Sequence, residues 1–211
     1  MRDYKKDDLY PHTKKLSSTQ ILDYAKNPSD FYQKWVLGFN DMNSPALHAG
    51  IAFSELYADR NFNYQAYCFE HKVPKRLIET IGRAVGYFQK PRNAEYELLV
   101  DYKGWKFRIT FDDFCPEAKT ITENKTSALL WTQETVETHA QITLQAWGYW
   151  KKFDELSKHI VNWVDTASNP KKLITTFITK RTKTQLMAFE QEVIDKVLAN
   201  LELGNFDKPL F

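Results

Sequence analysis

The chain has 211 residues, 43% of them hydrophobic and 27% charged, with seven Gly and eight Pro; that suits one well-packed domain and excludes disordered, collagen-like and low-complexity sequence. A net charge of +2 singles out no partner, and the longest uncharged stretches, Met42 to Ser54 and Thr138 to Trp150, span 13 residues each, short of the about 20 that a membrane crossing needs. Met1 to Asp8 lack the apolar segment of a secretory signal, and Cys68 and Cys115 are too few for a four-thiolate site, so free thiols in a reducing, cytoplasmic compartment are expected.

Residues 1–15 are polar and alternately charged, which predicts a flexible N-terminal arm. Ser17 to Gln20 precede Ile21, Leu22, Tyr24 and Ala25 as an N-cap and first helix. Asn27-Pro28-Ser29-Asp30 caps a second short helix over Phe31 to Leu37, closed by Gly38. After a loop from Asn40 to Pro45, helical spacing returns over Ala46 to Asp59. Pro74 opens a further helix with Leu77, Ile78, Ile81, Val85 and Phe88 as its buried stripe and Arg76, Arg83 and Lys90 as a row of cations. That row suits either a solvated face or a track for phosphates.

The period then changes. Glu95 to Val100 and Trp105 to Phe111 read as a hairpin around Asp101 to Gly104, with Trp105, Phe107, Ile109 and Phe111 in strict alternation. Cys115-Pro116-Glu117 turns into a third strand, Ala118 to Lys125. Glu134 to Phe153 is expected as one long helix, Leu173 to Thr179 as a strand, and Thr184 to Leu203 as a last helix stopped by Gly204. No internal repeat or linker interrupts the order, so a single domain over residues 16–204 is expected, with 205–211 as a tail.

Side chains two apart on a strand share a face, so Glu123 and Lys125 stand side by side. Antiparallel pairing through the preceding turn brings Asp112 or Asp113 opposite Glu123. Two converging carboxylates repel unless a divalent cation lies between them, and Mg²⁺ favours such a site; the same residues also read as a surface ion pair. Lys171, Lys172, Lys180, Arg181 and Lys183 form an acid-free basic stretch. Together with a 15% aromatic content that includes six Trp, it suits either a nucleic-acid groove or an ordinary core with a solvated rim. Trp131, Trp147 and Trp150 have the rings to stack bases, but aromatics in and beside a long helix are more often core.

Five segments in order resemble the PD-(D/E)XK nuclease superfamily, in particular its RecB-like exonuclease branch, which includes phage and CRISPR-adaptation exonucleases. They are Leu16 to Tyr24 with Asn27-Pro28 and Phe31-Tyr32, Gly50 to Leu56, Phe111-Asp112, Glu123 to Ser127, and His139 to Thr143. The resemblance implies an α/β (α+β) restriction-endonuclease-like core, a central mixed sheet of about four to five strands flanked by helices in αβββαβ order. It implies Mg²⁺ or Mn²⁺ held by Asp112, Glu123 and the Asn124 carbonyl, and hydrolysis of DNA phosphodiesters leaving a 5′-phosphate. Lys125 and Gln141 complete the catalytic set; Asp113 is the alternative to Asp112, and Glu55 a further metal contact. Lys180, Arg181, Lys183, Arg76, Arg83 and Ser127 are candidates to contact DNA, single- or double-stranded.

The departures from the family pattern are specific. Ser54 stands where many relatives carry a metal-binding histidine, with His48 six residues earlier. Gln145 replaces a tyrosine, although Tyr149 follows one turn on. Asn27 occupies the place of an iron–sulfur cysteine, so no such cluster is expected. The resemblance implies DNA end processing, recombination or phage DNA metabolism in a bacterial or phage-infected cell, with a homo-oligomer or a recombination protein as partner. The alternative is a catalytically weak or inactive nucleic-acid-binding or protein-interaction protein on the same fold.

Overall fold

The computed structural model describes residues 9–39, 44–167 and 172–206. Strand β1 (Lys15–Ser17) leads straight into α1 (Ser18–Lys26). The junction is a capping box: Ser17 Oγ accepts the Gln20 N–H at 3.2 Å and Gln20 Oε1 accepts the Ser17 N–H at 2.9 Å. Gln20 is itself buried and donates to the Tyr10 carbonyl. Tyr10 packs against Phe31 and Trp105, and Leu9 is buried. The expected flexible arm is therefore corrected for residues 9–15, which are packed by apolar burial and strand pairing; its first eight residues lie outside those described.

Asn27 accepts the N–H groups of Ser29 and Asp30 as the cap of α2 (Pro28–Phe31), which continues into a π-helical turn over Tyr32–Val36. Helices α3 (Pro45–Ala58), α4 (Tyr64–Glu70) and α5 (Lys75–Gly86) share an apolar cluster that includes Phe53, Leu56, Cys68, Ile81 and Val85. The short, aromatic-rich α4 has too few turns for its periodicity to stand out in the sequence.

Strands β2 (Tyr96–Tyr102) and β3 (Trp105–Phe111) pair antiparallel, and β1 joins β3 in parallel to give a three-stranded sheet. The hairpin turn is only Lys103–Gly104, with φ of 49° and 78°; both residues in the left-handed region match the twist of the strands. A second sheet has the order β4 (Asp113–Cys115), β5 (Thr120–Ser127), β6 (Lys158–Asp165), β7 (Ile174–Lys180), with β5 and β6 parallel and the other pairs antiparallel. The class is α/β as expected, but the strands form two mixed sheets of three and four rather than one of four to five. Only Asp112 separates β3 from β4, so the chain crosses from one sheet to the other at that residue.

The crossover from β5 to β6 runs through α6 (Gln133–Thr138) and α7 (Ala140–Phe153). The expected single helix is broken at His139, whose ψ of 119° is extended. Gly148 lets α7 lie on the first sheet, since a Cβ there would run into Ile109 and approach Leu98. Trp147 is fully buried against Tyr102 and Phe107 and donates to Glu190, which makes it a core residue and removes it from base stacking. The final helix is α8 (Lys183–Phe189), a π turn over Glu190–Ile194, and α9 (Asp195–Glu202), ending at Gly204 with φ 66°. The described part of the tail is packed: the Tyr24 hydroxyl donates to the Asn205 carbonyl and Phe206 stacks on Phe31. Among the described residues no helix is long and apolar enough to cross a membrane.

Strand β6 places His159 at 0% exposure, with neither ring nitrogen hydrogen-bonded. Burial, with the Arg181 charge in support, pushes its pKa down from 6.5 to about 3. The folded chain therefore keeps this ring neutral while the unfolded chain takes up a proton, and stability falls with pH below 6.5. The loss from this ring is about 2 kcal/mol by pH 5. His159→Leu is expected to flatten that acid limb; urea unfolding at pH 7 and pH 5 measures the difference.

Candidate active site

The register of the second sheet builds the site. Asp113 pairs with Thr122, so the next step along β5 brings Asp112 level with Glu123. Asp112 Oδ2 accepts the Asn124 N–H at 2.6 Å. The N–H and C=O of a strand residue leave on the same edge, so the Asn124 carbonyl faces the edge where Asp112 stands. On the other side Asn162 Nδ2 donates to Asn124 Oδ1, and Thr176 donates to Asn162. That ladder across β5, β6 and β7 holds Asn124 in place.

Glu123 and Lys125 face α7. Glu123 is 3% exposed. Its Oε1 receives Lys125 Nζ at 2.6 Å and Gln141 Nε2 at 2.7 Å, and its Oε2 receives Gln145 Nε2 at 2.6 Å. Lys125 Nζ also donates to Gln141 Oε1 at 2.6 Å. The break at His139 puts Gln141 in the first turn of α7, one turn before Gln145. Gln145, a departure from the family tyrosine and not foreseen as a site residue, is fully buried and also donates to the Thr110 carbonyl. Its i, i+4 spacing from Gln141, which puts both amides on one helix face, was the signal available.

Asp112, Glu123, Asn124, Lys125 and Gln141 line a cleft of about 700 Å³ that α3 also lines, with Gly50, Ser54 and Glu55. Burial, then the Glu123 charge, push the Asp112 carboxyl up to about 8, while Lys125 and the Asn124 N–H act the other way. Two carboxylates and a strand-edge carbonyl fit Mg²⁺ or Mn²⁺, which take one or two protein carboxylates and complete their shell with water and substrate oxygens. The mutual repulsion that raises Asp112 is the interaction a divalent cation relieves. Among the described residues no group of three or more His, Cys, Asp and Glu is gathered as a metal cage. His139, half-buried against Trp131, is pushed down to about 4 by burial and by Lys125.

Other candidates separate. Asp113 Oδ1 accepts the N–H groups of Arg92, Asn93 and its neighbour Phe114, each at 2.9 Å, so it braces a loop and leaves the cleft to Asp112. His48 is 7% exposed, bonded to Tyr67 and stacked on His71 at 3.8 Å; it is a packed histidine. Tyr149 packs on Phe114. Arg181 is corrected: at 3% exposure it donates to Thr143, Thr179 and the Val136 carbonyl, and its side chain is closed to DNA. Lys180 and Lys183 beside it are exposed, as is Arg83. Arg76 is exposed but spends its guanidinium on the Thr166 and Ala167 carbonyls. Ser127 accepts the Leu129 N–H within a turn. Trp150 is half-buried, with Lys151 and Lys183 over its ring.

No protein-family model matches the sequence, and no curated protein does. Among solved structures, the fold is similar to that of an Eubacterium rectale protein provisionally named an exonuclease, with a TM-score of 0.64 at 14% identity, covering 95% of this chain and 82% of that one. Superposition on an alkaline exonuclease, LHK-Exo, of Laribacter hongkongensis gives a TM-score of 0.41 at 13% identity over 90% of this chain and 93% of that one. The chain thus shares the overall fold of the Eubacterium rectale protein.

Proposed function

We propose that this chain is a Mg²⁺- or Mn²⁺-dependent nuclease that hydrolyses DNA phosphodiester bonds, acting as an exonuclease at DNA ends. The observation that carries the reading is the convergence of Asp112, Glu123, Lys125 and Gln141 in one cleft, the last three joined by hydrogen bonds of 2.6–2.7 Å and Asp112 bonded to the Asn124 N–H at 2.6 Å. The fold shared with the Eubacterium rectale protein supports it. Asp112, Glu123 and the Asn124 carbonyl would hold the cation, which when bound polarises a phosphoryl oxygen and acidifies a water.

The chain's own groups do the rest. Lys125 Nζ is held by Glu123 and Gln141, which use two of its three donors. The third serves the attacking water or the charge that builds on the phosphoryl oxygens. Gln141 ties Lys125 to Glu123 and so couples the nucleophile side of the site to the metal side. Of the two departures that favour an inactive scaffold, Ser54 and Gln145, the second bonds Glu123 and so belongs to the site.

The test is incubation of end-labelled single- and double-stranded DNA with the protein in Mg²⁺, Mn²⁺ or EDTA. Shortening from the ends in metal and none in EDTA is expected; intact DNA in every metal contradicts the reading. Lys180 and Lys183 are the exposed cations nearest the end of β7. Replacing either with Ala is expected to lower the salt dependence of DNA binding by about one unit of log–log slope.

A further inference from the structure

Gln145 is the one polar side chain in the interior stretch of α7 that faces Glu123 without being among the residues matched to the nuclease pattern. It is 0% exposed, and its Nε2 is shared between Glu123 Oε2 at 2.6 Å and the Thr110 carbonyl at 3.0 Å. Two acceptors on one nitrogen fix the amide orientation, since the reversed amide would aim its oxygen at both. The other end, Oε1, is buried with no hydrogen-bond partner. A buried acceptor left unsatisfied is a cost that an apolar side chain of the same size would avoid. A helix position that carries this cost beside a metal-binding carboxylate is occupied for what its nitrogen does.

We infer that Gln145 is a positioning residue that fixes the plane of the Glu123 carboxylate for metal binding. Gln141 and Lys125 hold Oε1, and Gln145 holds Oε2 and ties it to the end of strand β3 through Thr110. Without Gln145 the carboxylate is held at one oxygen only and is free to turn about its Cγ–Cδ bond. Thr110 lies two residues before Asp112, so the same amide also links the strand that delivers Asp112 to the carboxylate that Asp112 faces. Partners of this kind set metal affinity by orienting the ligand rather than by touching the ion. The inference rests on the reading of this cleft as a metal site.

The test uses Gln145→Met, close to glutamine in length but with neither donor nor acceptor, and Gln145→Leu as a second apolar variant. Mn²⁺ affinity is measured by calorimetry without DNA, together with Tm and the kcat and KM for DNA. Both variants are expected to bind Mn²⁺ 10- to 100-fold more weakly, with kcat reduced, KM for DNA unchanged and Tm modestly lowered, since Glu123 Oε2 and the Thr110 carbonyl lose their shared donor. Wild-type Mn²⁺ affinity in either folded variant overturns the inference. So does a fall in Tm with no change in affinity, which would make Gln145 a purely structural residue. A wild type that binds Mn²⁺ yet leaves DNA intact would overturn the nuclease reading alone, because the affinity ratio still decides the role of Gln145.

Discussion

Glu123→Gln is expected to lower DNA cleavage by roughly a thousandfold or more, the scale of losing a charge placed at the centre of an electrostatic site. The substitution keeps volume at a position that is 3% exposed, so it opens no cavity. It removes the negative charge that, with Asp112, is proposed to hold the cation. It also presents an amide nitrogen to Lys125, Gln141 and Gln145, all of which donate to the present carboxylate; at least one oxygen position becomes a donor facing a donor. The Lys125–Glu123 pair is lost as well, and breaking a buried pair from one side costs about 3–5 kcal/mol. Because the Lys125 side chain retains 22% exposure, part of that cost is recovered by solvent, and the variant should still fold. Circular dichroism and Tm establish folding, and single-turnover cleavage at saturating Mn²⁺ gives the rate.

Lys125→Met is expected to lower kcat roughly a hundred- to a thousandfold while leaving Mn²⁺ binding within a few-fold of wild type. Methionine preserves the apolar stem and removes only the ammonium. That group sits between Glu123 Oε1 and Gln141 Oε1 at 2.6 Å from each. Its loss takes away a proton donor at the cleft but no metal-binding oxygen. The split separates the two residues: Glu123 variants lose the metal, and Lys125 variants keep the metal and lose the chemistry. Equal loss of Mn²⁺ binding in both would show that Lys125 only holds Glu123 in place.

The site was legible in the sequence where strand periodicity decides it. Alternation along Trp105 to Phe111 and the two-residue offset of Glu123 and Lys125 carry straight into β3 and β5. Alternation alone leaves Asp112 and Asp113 open, and the preference for Asp112 comes from the family resemblance; in the structure Asp113 is occupied by the N–H groups of Arg92 and Asn93. Strand β6 was not legible: it lies between β5 and β7, and Val161 to Val164 are all buried, with Asn162 among apolar neighbours, so the stretch shows no alternation. The break at His139 is hidden because helical spacing continues through it. Arg181 misleads because composition records a charge and not the direction in which its side chain leaves the chain. Gln145 carries no signal in its type, since a glutamine in a helix is ordinarily solvated; only its burial shows that it bonds Glu123.

The most direct measurement is an anomalous difference map from a crystal of the wild-type protein soaked in Mn²⁺. A peak between the Asp112 and Glu123 carboxylates, within coordinating distance of the Asn124 carbonyl, is predicted. Well-ordered density for those side chains with no peak among them would contradict the assignment of this cleft as a metal-dependent nuclease site.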